Sequence, residues 1–168
     1  MAAGIAAATN DFLMLLDADL KGLVADDVTA LAAPVLSGRA DVSISLRRNS
    51  LRIYRAMGID FVSGERVIRK ELLSEALADM RELPRFGIEV FTNERIIARK
   101  LSIAVIRWPR VTQARKTEKM GRWRGIWAEC RMLGDVLQVA YPLAAISQTY
   151  NMRSLRIPPS NTERRGIV

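Results

Sequence analysis

The chain has 168 residues, 49% of them hydrophobic and 26% charged, which is typical of one globular domain with a sizeable core. It contains no histidine and a single cysteine, Cys130, which excludes histidine-based catalysis, histidine-ligated zinc and an internal disulfide framework. No apolar stretch is as long as a membrane span, and the net charge of +8 predicts a polyanionic partner such as a phosphate ligand, a nucleic acid or an anionic membrane face.

The first strong strand signal is the apolar run at residues 12–16, which follows a small-residue segment of helical character at 1–9. Five consecutive apolar residues are typical of a strand that is covered on both faces, as in a parallel sheet. Asp17 and Asp19 come directly after this run, at the sheet edge where open α/β sheets bind ligands. Two carboxylates one residue apart can share a hard cation and its phosphates, or they can punctuate a turn and cap the next helix.

Helical and strand patterns then alternate, which indicates the α/β class. The predicted helices are 26–36, 69–81 and 89–99, and the predicted strands are 41–46 and 102–108. A polar loop follows the first of these strands and carries four arginines: Arg47, Arg48, Arg52 and Arg55. Because little sequence precedes residues 12–16, we expect the chain to start in the middle of a domain.

A long amphipathic element is predicted at 119–141, where large apolar residues recur at intervals of three and four. Such a stripe usually packs against a core. Flanking lysines, arginines and tryptophans favour a helix on an anionic membrane surface as the alternative. Residues 142–168 are predicted to be a C-terminal extension or tail, because the sequence becomes polar and proline-bearing after 151.

Several short motifs follow one another along the chain. In order they are Gly4 to Asp11, Asp17-Ala18-Asp19, Gly38 to Val42, Ser63-Gly64-Glu65-Arg66 and Phe86-Gly87-Ile88-Glu89. Together they resemble the family 2 glycosyltransferases of the GT-A fold, particularly bacterial members similar to polyprenyl-phosphate sugar transferases and glucosyl-phosphoglycerate synthases. The resemblance covers residues 1–141. It implies a partial GT-A fold, a mixed and mainly parallel sheet flanked by helices, that lacks the N-terminal nucleotide-binding half.

The resemblance implies transfer of a sugar, with inversion, from a nucleotide-diphosphate sugar to a phosphorylated or polyprenyl-linked acceptor. Asp17 and Asp19 match the metal-binding Asp-x-Asp, which in the family holds Mg²⁺ or Mn²⁺ on the diphosphate; the cation neutralises charge on the leaving group. Glu89 matches an acidic position near the acceptor and is the candidate base that removes the acceptor hydroxyl proton. Alternatively, Glu89 is a first-turn carboxylate favoured by the helix dipole.

Other positions match the binding regions of the family. The loop Ser63-Gly64-Glu65-Arg66 lies beside the acceptor in relatives, so that Gly64 would permit close approach of the backbone and Arg66 would meet a phosphate. The alternative is an ordinary helix entry capped by Ser63. Arg47 begins the basic loop expected to contact a phosphorylated acceptor.

The sequence departs from the family at one metal ligand. Many relatives supply a histidine after the strand that here ends at Trp108, whereas this chain has Gln113 or Arg115 near that place. Neither is a good ligand for a divalent cation, so we expect weak metal affinity, or arginine and lysine side chains that neutralise part of the diphosphate.

The competing hypothesis is a non-catalytic, truncated relative that acts as a membrane-surface or protein-interaction module, and the missing half and missing histidine favour it. A sheet edge left open by missing strands would also favour a homo-oligomer. The basic residues are spread over several elements without a recognition motif, so no nucleic acid partner is expected. The expected location is the cytoplasm, with possible peripheral attachment to the inner face of the membrane.

Overall fold

The structure is a computed structural model, and it describes residues 2–74, 87–113 and 142–159. Helices and strands alternate along most of the described chain. The elements in chain order are α1 Ala2–Ala7, β1 Phe12–Leu15, β2 Leu20–Lys21, α2 Ala25–Leu36, β3 Val42–Arg47, α3 Arg52–Met57, β4 Arg66–Arg69, α4 Glu71–Ser74, α5 Gly87–Ala98, β5 Ile103–Trp108, β6 Thr112–Gln113 and α6 Pro142–Ser154.

The main sheet has the strand order β1-β4-β3-β5. β3 and β5 pair in parallel, while β4 lies antiparallel between β1 and β3. It follows that β1, β3 and β5 run in one direction and β4 alone runs in the other, which confirms a mixed sheet. Two of the three described pairings are antiparallel, because β4 lies between β1 and β3. The carboxyl ends of those three strands and the amino end of β4 meet at one edge of the sheet. β2 and β6 form a separate antiparallel pair beyond this edge.

β1 is the last strand of the described sheet, and its outer edge has no partner strand within the described residues. Leu13 is the one buried residue of the strand, and Leu16 just beyond it is 42% exposed. Both faces of the strand nevertheless contact the core, because Leu13 and Leu15 pack in one hydrophobic cluster whereas Phe12 and Met14 pack against the other. The expectation of an apolar run covered on both faces is therefore confirmed, although the strand lies at the end of the described sheet.

β3 lies in the middle of the sheet, and all six of its residues are buried. Val42 and Ile44 belong to the hydrophobic cluster that includes side chains of α3, α5 and α6, whereas Ser43 points to the other face, towards α2. There Ser43 donates a hydrogen bond of 2.5 Å from Oγ to the carbonyl of Leu31. Each polar side chain buried within a strand needs such a partner.

Most of the predicted elements are confirmed, and two local predictions are wrong. The predicted polar arginine loop contains α3, because Leu51 and Tyr54, three residues apart, bury one face of a short helix. The helix predicted from 69 begins only after β4, and α4 is described from Glu71 to Ser74. β4 was missed because its strand conformation depends on pairing with two strands that are distant in sequence. The predicted element at 119–141 lies outside the described residues.

The described part of the predicted C-terminal extension packs onto the rest of the fold. Met152 of α6 is fully buried in the hydrophobic core, and Gln148 Nε2 donates a 3.3 Å hydrogen bond to the carbonyl of Val90 in α5. Past the helix, the backbone of Ile103 in β5 bonds to Leu155 and Ile157, both at 2.9 Å. Within the described residues, no helix combines the length and apolar character needed to cross a bilayer.

Candidate functional site

The candidate site lies at the sheet edge where β1, β3 and β5 end. A cleft of about 250 Å³ opens there. Asp17, Arg47, Asp60, Glu89 and Gln113 all line it. Four of these five side chains are site residues predicted from the sequence, and the fold brings them together from β1, β3, α5 and β6. The cleft is slightly smaller than the roughly 300–1,000 Å³ of typical small-molecule pockets, so it has room for part of a large ligand.

A single guanidinium at the base of the cleft faces three carboxylates. Arg47 Nη1 lies 2.5 Å from Glu65 Oε1 and 3.5 Å from Asp17 Oδ2, and Nη2 lies 3.9 Å from Asp60 Oδ2. The Arg47 side chain is only 9% exposed, so these attractions are weakly screened by water. Arg47 was predicted to bind a ligand phosphate, but here its charge is directed at protein carboxylates.

Glu65 is the most enclosed of these carboxylates, with no exposed surface. Its Oε1 contacts Arg47, and its Oε2 accepts hydrogen bonds of 2.7 Å from the hydroxyls of Ser45 and Ser63. Sequence reasoning quoted Glu65 within a motif but assigned it no role, and it missed Asp60 altogether. The signal that could have found Asp60 is an acidic residue inside the otherwise apolar segment 59–62.

Carboxyl groups outnumber guanidinium groups around the site, and their surroundings disfavour ionisation of two of them. Burial, followed by the nearby charge of Glu65, raises the pKa of Asp17 to about 6. Burial likewise raises the pKa of Asp60 above its usual range. Arg47 and the buried Arg66, which interacts electrostatically with the same carboxyl groups, are the two cations beside them. A cation placed next to Asp17 would favour its ionised form and lower its pKa.

The side-chain amide of Gln113 bridges the carboxylates of Asp17 and Asp19. Gln113 Nε2 donates hydrogen bonds of 3.0 Å to Asp17 Oδ2 and of 3.0 Å to Asp19 Oδ1. The backbone of Gln113 is itself fixed by Asn49, whose side chain bonds both its N–H at 3.2 Å and its carbonyl at 2.9 Å. The Asp17 and Asp19 carboxylates therefore converge on the side-chain amide of Gln113 in β6.

The donor set at this point fits Mg²⁺ or Mn²⁺. Carboxylate oxygens are hard ligands, and Mg²⁺ commonly keeps one or two protein carboxylates while water and phosphate oxygens complete its shell. Within residues 2–74, 87–113 and 142–159, no group of three Asp, Glu, Cys or His side chains is placed to hold a metal. The protein would thus supply Asp17 and Asp19, and the ligand and solvent would supply the remainder.

Gly64 is required by the close approach of Asp17. A Cβ atom at this position would lie 2.5 Å from Asp17 Oδ1, closer than any unstrained contact. The sequence predicted that Gly64 permits a close approach, and in the structure the approaching group is the Asp17 carboxylate. The neighbouring Ser63 is fully buried and donates to Glu65.

Arg66 is buried behind the cleft, with 1% of its surface exposed. Its guanidinium donates to the carbonyl of Ser63 and, at 3.0 Å, to Asn93 Oδ1 of α5. Asn93 Nδ2 in turn donates to the carbonyl of Phe61 at 2.7 Å. These bonds tie the loop before β4 to α5, which carries Glu89. Arg66 was predicted to meet a phosphate, but its donors here are used by the protein; Arg115 lies outside the described residues.

Comparison with solved structures finds the same architecture in glucosyl-3-phosphoglycerate synthase from Mycobacterium tuberculosis. The complex with phosphoglyceric acid is 19% identical, with a TM-score of 0.55 over 82% of this chain and 52% of that chain. The complex with Mn²⁺, UDP-glucose and phosphoglyceric acid is also 19% identical, with a TM-score of 0.55 over 95% of this chain and 54% of that chain. The chain thus spans about half the length of these structures.

No family model and no curated protein sequence matches the chain. At 19% identity, the likeness to the solved structures is a likeness of fold. The strand order, the sheet edge and the structural matches agree on that fold. The chain therefore has a partial GT-A glycosyltransferase fold, the α/β architecture predicted from its motifs.

Proposed function

We propose that this chain forms the metal and acceptor side of an inverting glycosyltransferase that uses a nucleotide-diphosphate sugar. The observation that carries the proposal is the pair Asp17 and Asp19, which the Gln113 amide bridges at the sheet edge, with Asp17 and Glu89 lining the same cleft. The raised pKa of Asp17 supports the proposal, because a divalent cation beside this carboxylate would offset the cost of its ionisation. The similar solved structures, one with Mn²⁺ and UDP-glucose, support the donor class.

In this proposal, Asp17 and Asp19 hold Mg²⁺ or Mn²⁺, and Gln113 fixes their orientation. The cation, when bound, neutralises charge on the leaving diphosphate. Arg47 holds Asp17 and Glu65 close together by offsetting part of their mutual repulsion. Asp17 and Glu65 are thereby fixed in place before a ligand binds, which lowers the free-energy cost of organising the site.

Glu89 is the proposed base. It lies in the first turn of α5 and lines the cleft that Asp17 also lines. The acceptor hydroxyl would transfer its proton to the Glu89 carboxylate as the oxygen forms a bond to the sugar C1. The bond from C1 to the diphosphate breaks at the same time, and the nucleoside diphosphate leaves with the electron pair. Displacement from the opposite face gives inversion.

The proposed acceptor is a phosphorylated molecule. The similar solved structures were determined with phosphorylated small molecules, phosphoglyceric acid in one and glycerol 3-phosphate in another. A polyprenyl phosphate is the lipid-linked form of the same chemistry. The net charge of +8 over the whole chain favours anionic ligands in general.

Asp19→Ala tests the metal role. Asp19 is exposed and serves no part of the core, so the variant should keep the stability of the wild type without metal. Mn²⁺ with UDP-glucose should raise the melting temperature of the wild type, because a ligand that binds only the folded state stabilises it, by about 2.7 kcal/mol at 100-fold excess over Kd. The variant should lose this shift. Asp26→Ala, an exposed acid in the first turn of α2, is the matched control and should keep it.

Glu89→Gln tests the base. Glutamine keeps the shape and hydrogen bonding of glutamate but cannot take up the proton, so transfer should fall by about 10²–10⁴-fold. The thermal shift with Mn²⁺ and UDP-glucose should remain. Wild-type transfer rates in this variant would assign the base to another residue, and loss of the thermal shift would show that Glu89 acts in binding instead.

A further inference from the structure

A second cavity lies at the same sheet edge, on the side of α3. It has a volume of about 290 Å³ at the carboxyl ends of β3 and β5. Leu46, Arg48, Arg55, Arg107 and Pro109 line it, and we refer to it as the arginine groove. Arg47 lines both the arginine groove and the candidate cleft, so the two cavities are neighbours.

The arginine groove has cationic walls and no anionic ones. Arg48, Arg55 and Arg107 are all exposed, and no carboxylate lines the cavity. Within the part of the chain that the structure describes, the three side chains take part in no hydrogen bond or ion pair. This is the opposite of the candidate cleft, where one arginine faces three carboxylates.

Positive charge continues from the groove towards the C-terminal segment. Arg156 is half-buried under α3, with Nη1 donating to the carbonyl of Met57 at 3.2 Å and Nε buried without a partner in the described residues. Burial and the like charges of Arg107 and Arg153 lower the pKa of Arg156. A scaffold that holds several repelling cations together is stabilised when an anion binds among them.

We propose that the arginine groove binds the phosphate group of a phosphate ester or diphosphate. Guanidinium groups donate in a planar fork that matches phosphate oxygens, and three of them around one cavity can engage a multiply charged anion together. The phosphate can come from a soluble phosphorylated molecule or from the headgroup of an anionic lipid. The proposal uses neither the metal point nor Glu89, so it does not depend on the proposed transferase activity.

Titration calorimetry of the full chain with inorganic pyrophosphate, at low salt and with EDTA present, tests the groove. The double variant Arg55→Gln with Arg107→Gln removes two lining cations and should weaken binding by at least about tenfold, since hydrogen bonds to charged groups contribute about 1.5–3 kcal/mol each. The affinity should also fall less steeply with salt than that of the wild type. Arg39→Gln, an exposed arginine before β3 at the opposite sheet edge, is the matched control and should bind like the wild type.

Flotation with vesicles separates the two sources of phosphate. If the wild type binds vesicles of equimolar phosphatidylcholine and phosphatidylglycerol, and the double variant does not, the groove takes lipid headgroups. If the wild type binds pyrophosphate but not these vesicles, the groove takes soluble phosphates. The proposal is overturned if the wild type binds neither probe, if the double variant binds like the wild type, or if Arg39→Gln weakens binding as much as the double variant does.

Discussion

Replacing Asp17 with asparagine should stabilise the fold while removing metal binding. The folded protein keeps a proton on Asp17 up to about pH 6, whereas the unfolded chain releases it near the ordinary aspartate value of 3.8. The free energy of unfolding of the wild type therefore falls as pH rises between these two values. An asparagine side chain carries no charge at any pH, so Asp17→Asn avoids this loss and keeps a carbonyl that accepts from Gln113.

The size of the effect follows from the pKa of Asp17. A rise from 3.8 to about 6 corresponds to at most about 3 kcal/mol, because one pKa unit equals about 1.36 kcal/mol. The Asp17 side chain is 34% exposed, and solvent screening reduces the expected gain to about 1–2 kcal/mol. The gain should be fully present above about pH 7, shrink as pH falls, and disappear only below about pH 3, where aspartate is protonated in both states.

Urea denaturation with EDTA, at about pH 4.5 and about pH 8, measures this difference. Asp41→Asn is the matched control, and it should change the free energy of unfolding in the opposite direction. Hydrogen bonds from the hydroxyl and N–H of Ser102, at 2.6 and 2.8 Å, lower the pKa of Asp41. The stability that Asp41 contributes is therefore present above 3.8 and lost as pH falls through its lowered pKa, so Asp41→Asn should destabilise the protein at neutral pH.

The reasoning is refuted if Asp17→Asn is less stable than the wild type at about pH 8, or if the difference between the two proteins is the same at both pH values. In either case the negative charge of Asp17 would be stabilised by its surroundings. A separate titration with Mn²⁺ addresses the metal role, because the wild type should be stabilised and Asp17→Asn should not.

Two further substitutions test features of the fold. Gly64→Ala should destabilise the protein by about 1–3 kcal/mol in urea, because its Cβ would lie 2.5 Å from Asp17 Oδ1. Gly4→Ala has nothing within 4 Å and lies in α1, so it should stabilise by about 0.5–1 kcal/mol. Equal stability of the two alanine variants would show that the Gly64 contact does not exist. Met152→Ala should cost about 2–5 kcal/mol because Met152 is fully buried, and Tyr150→Ala, at 74% exposure, should change stability by less than about 0.5 kcal/mol. Equal effects of these two would place α6 outside the core.

Local patterns were sufficient to predict the parallel strands and the edge at which the site lies. The apolar run before Asp17 and the alternating residues of β3 are each complete within a few residues, so periodicity identifies them. β4 was not predictable in this way, since four residues with arginine at both ends become a strand only by pairing with β1 and β3. Pairings between distant segments leave little trace in a single local pattern.

The same limit explains which parts of the site were missed. Asp17, Glu89 and Gln113 could be placed near one another because each follows or begins a predicted element. The contacts of Arg47 with Asp60 and Glu65 depend on how β4 enters the sheet, which the sequence pattern did not show. Likewise, an arginine in a polar motif suggests a phosphate ligand, and only burial distinguishes the inward-facing Arg66 from the exposed arginines of the groove. The catalytic and metal roles stay predictions.

The outer edge of β1, which has no partner strand among the residues that the structure describes, has a thermodynamic consequence for the carboxylates that follow it. A strand added along Phe12–Leu15, from another segment or a second copy, would hydrogen-bond the backbone immediately before Asp17 and restrict its motion. Strand addition and cation binding would then be linked equilibria, in which each process strengthens the other by the same factor. Metal affinity measured on this chain would consequently vary with protein concentration if copies pair through that edge.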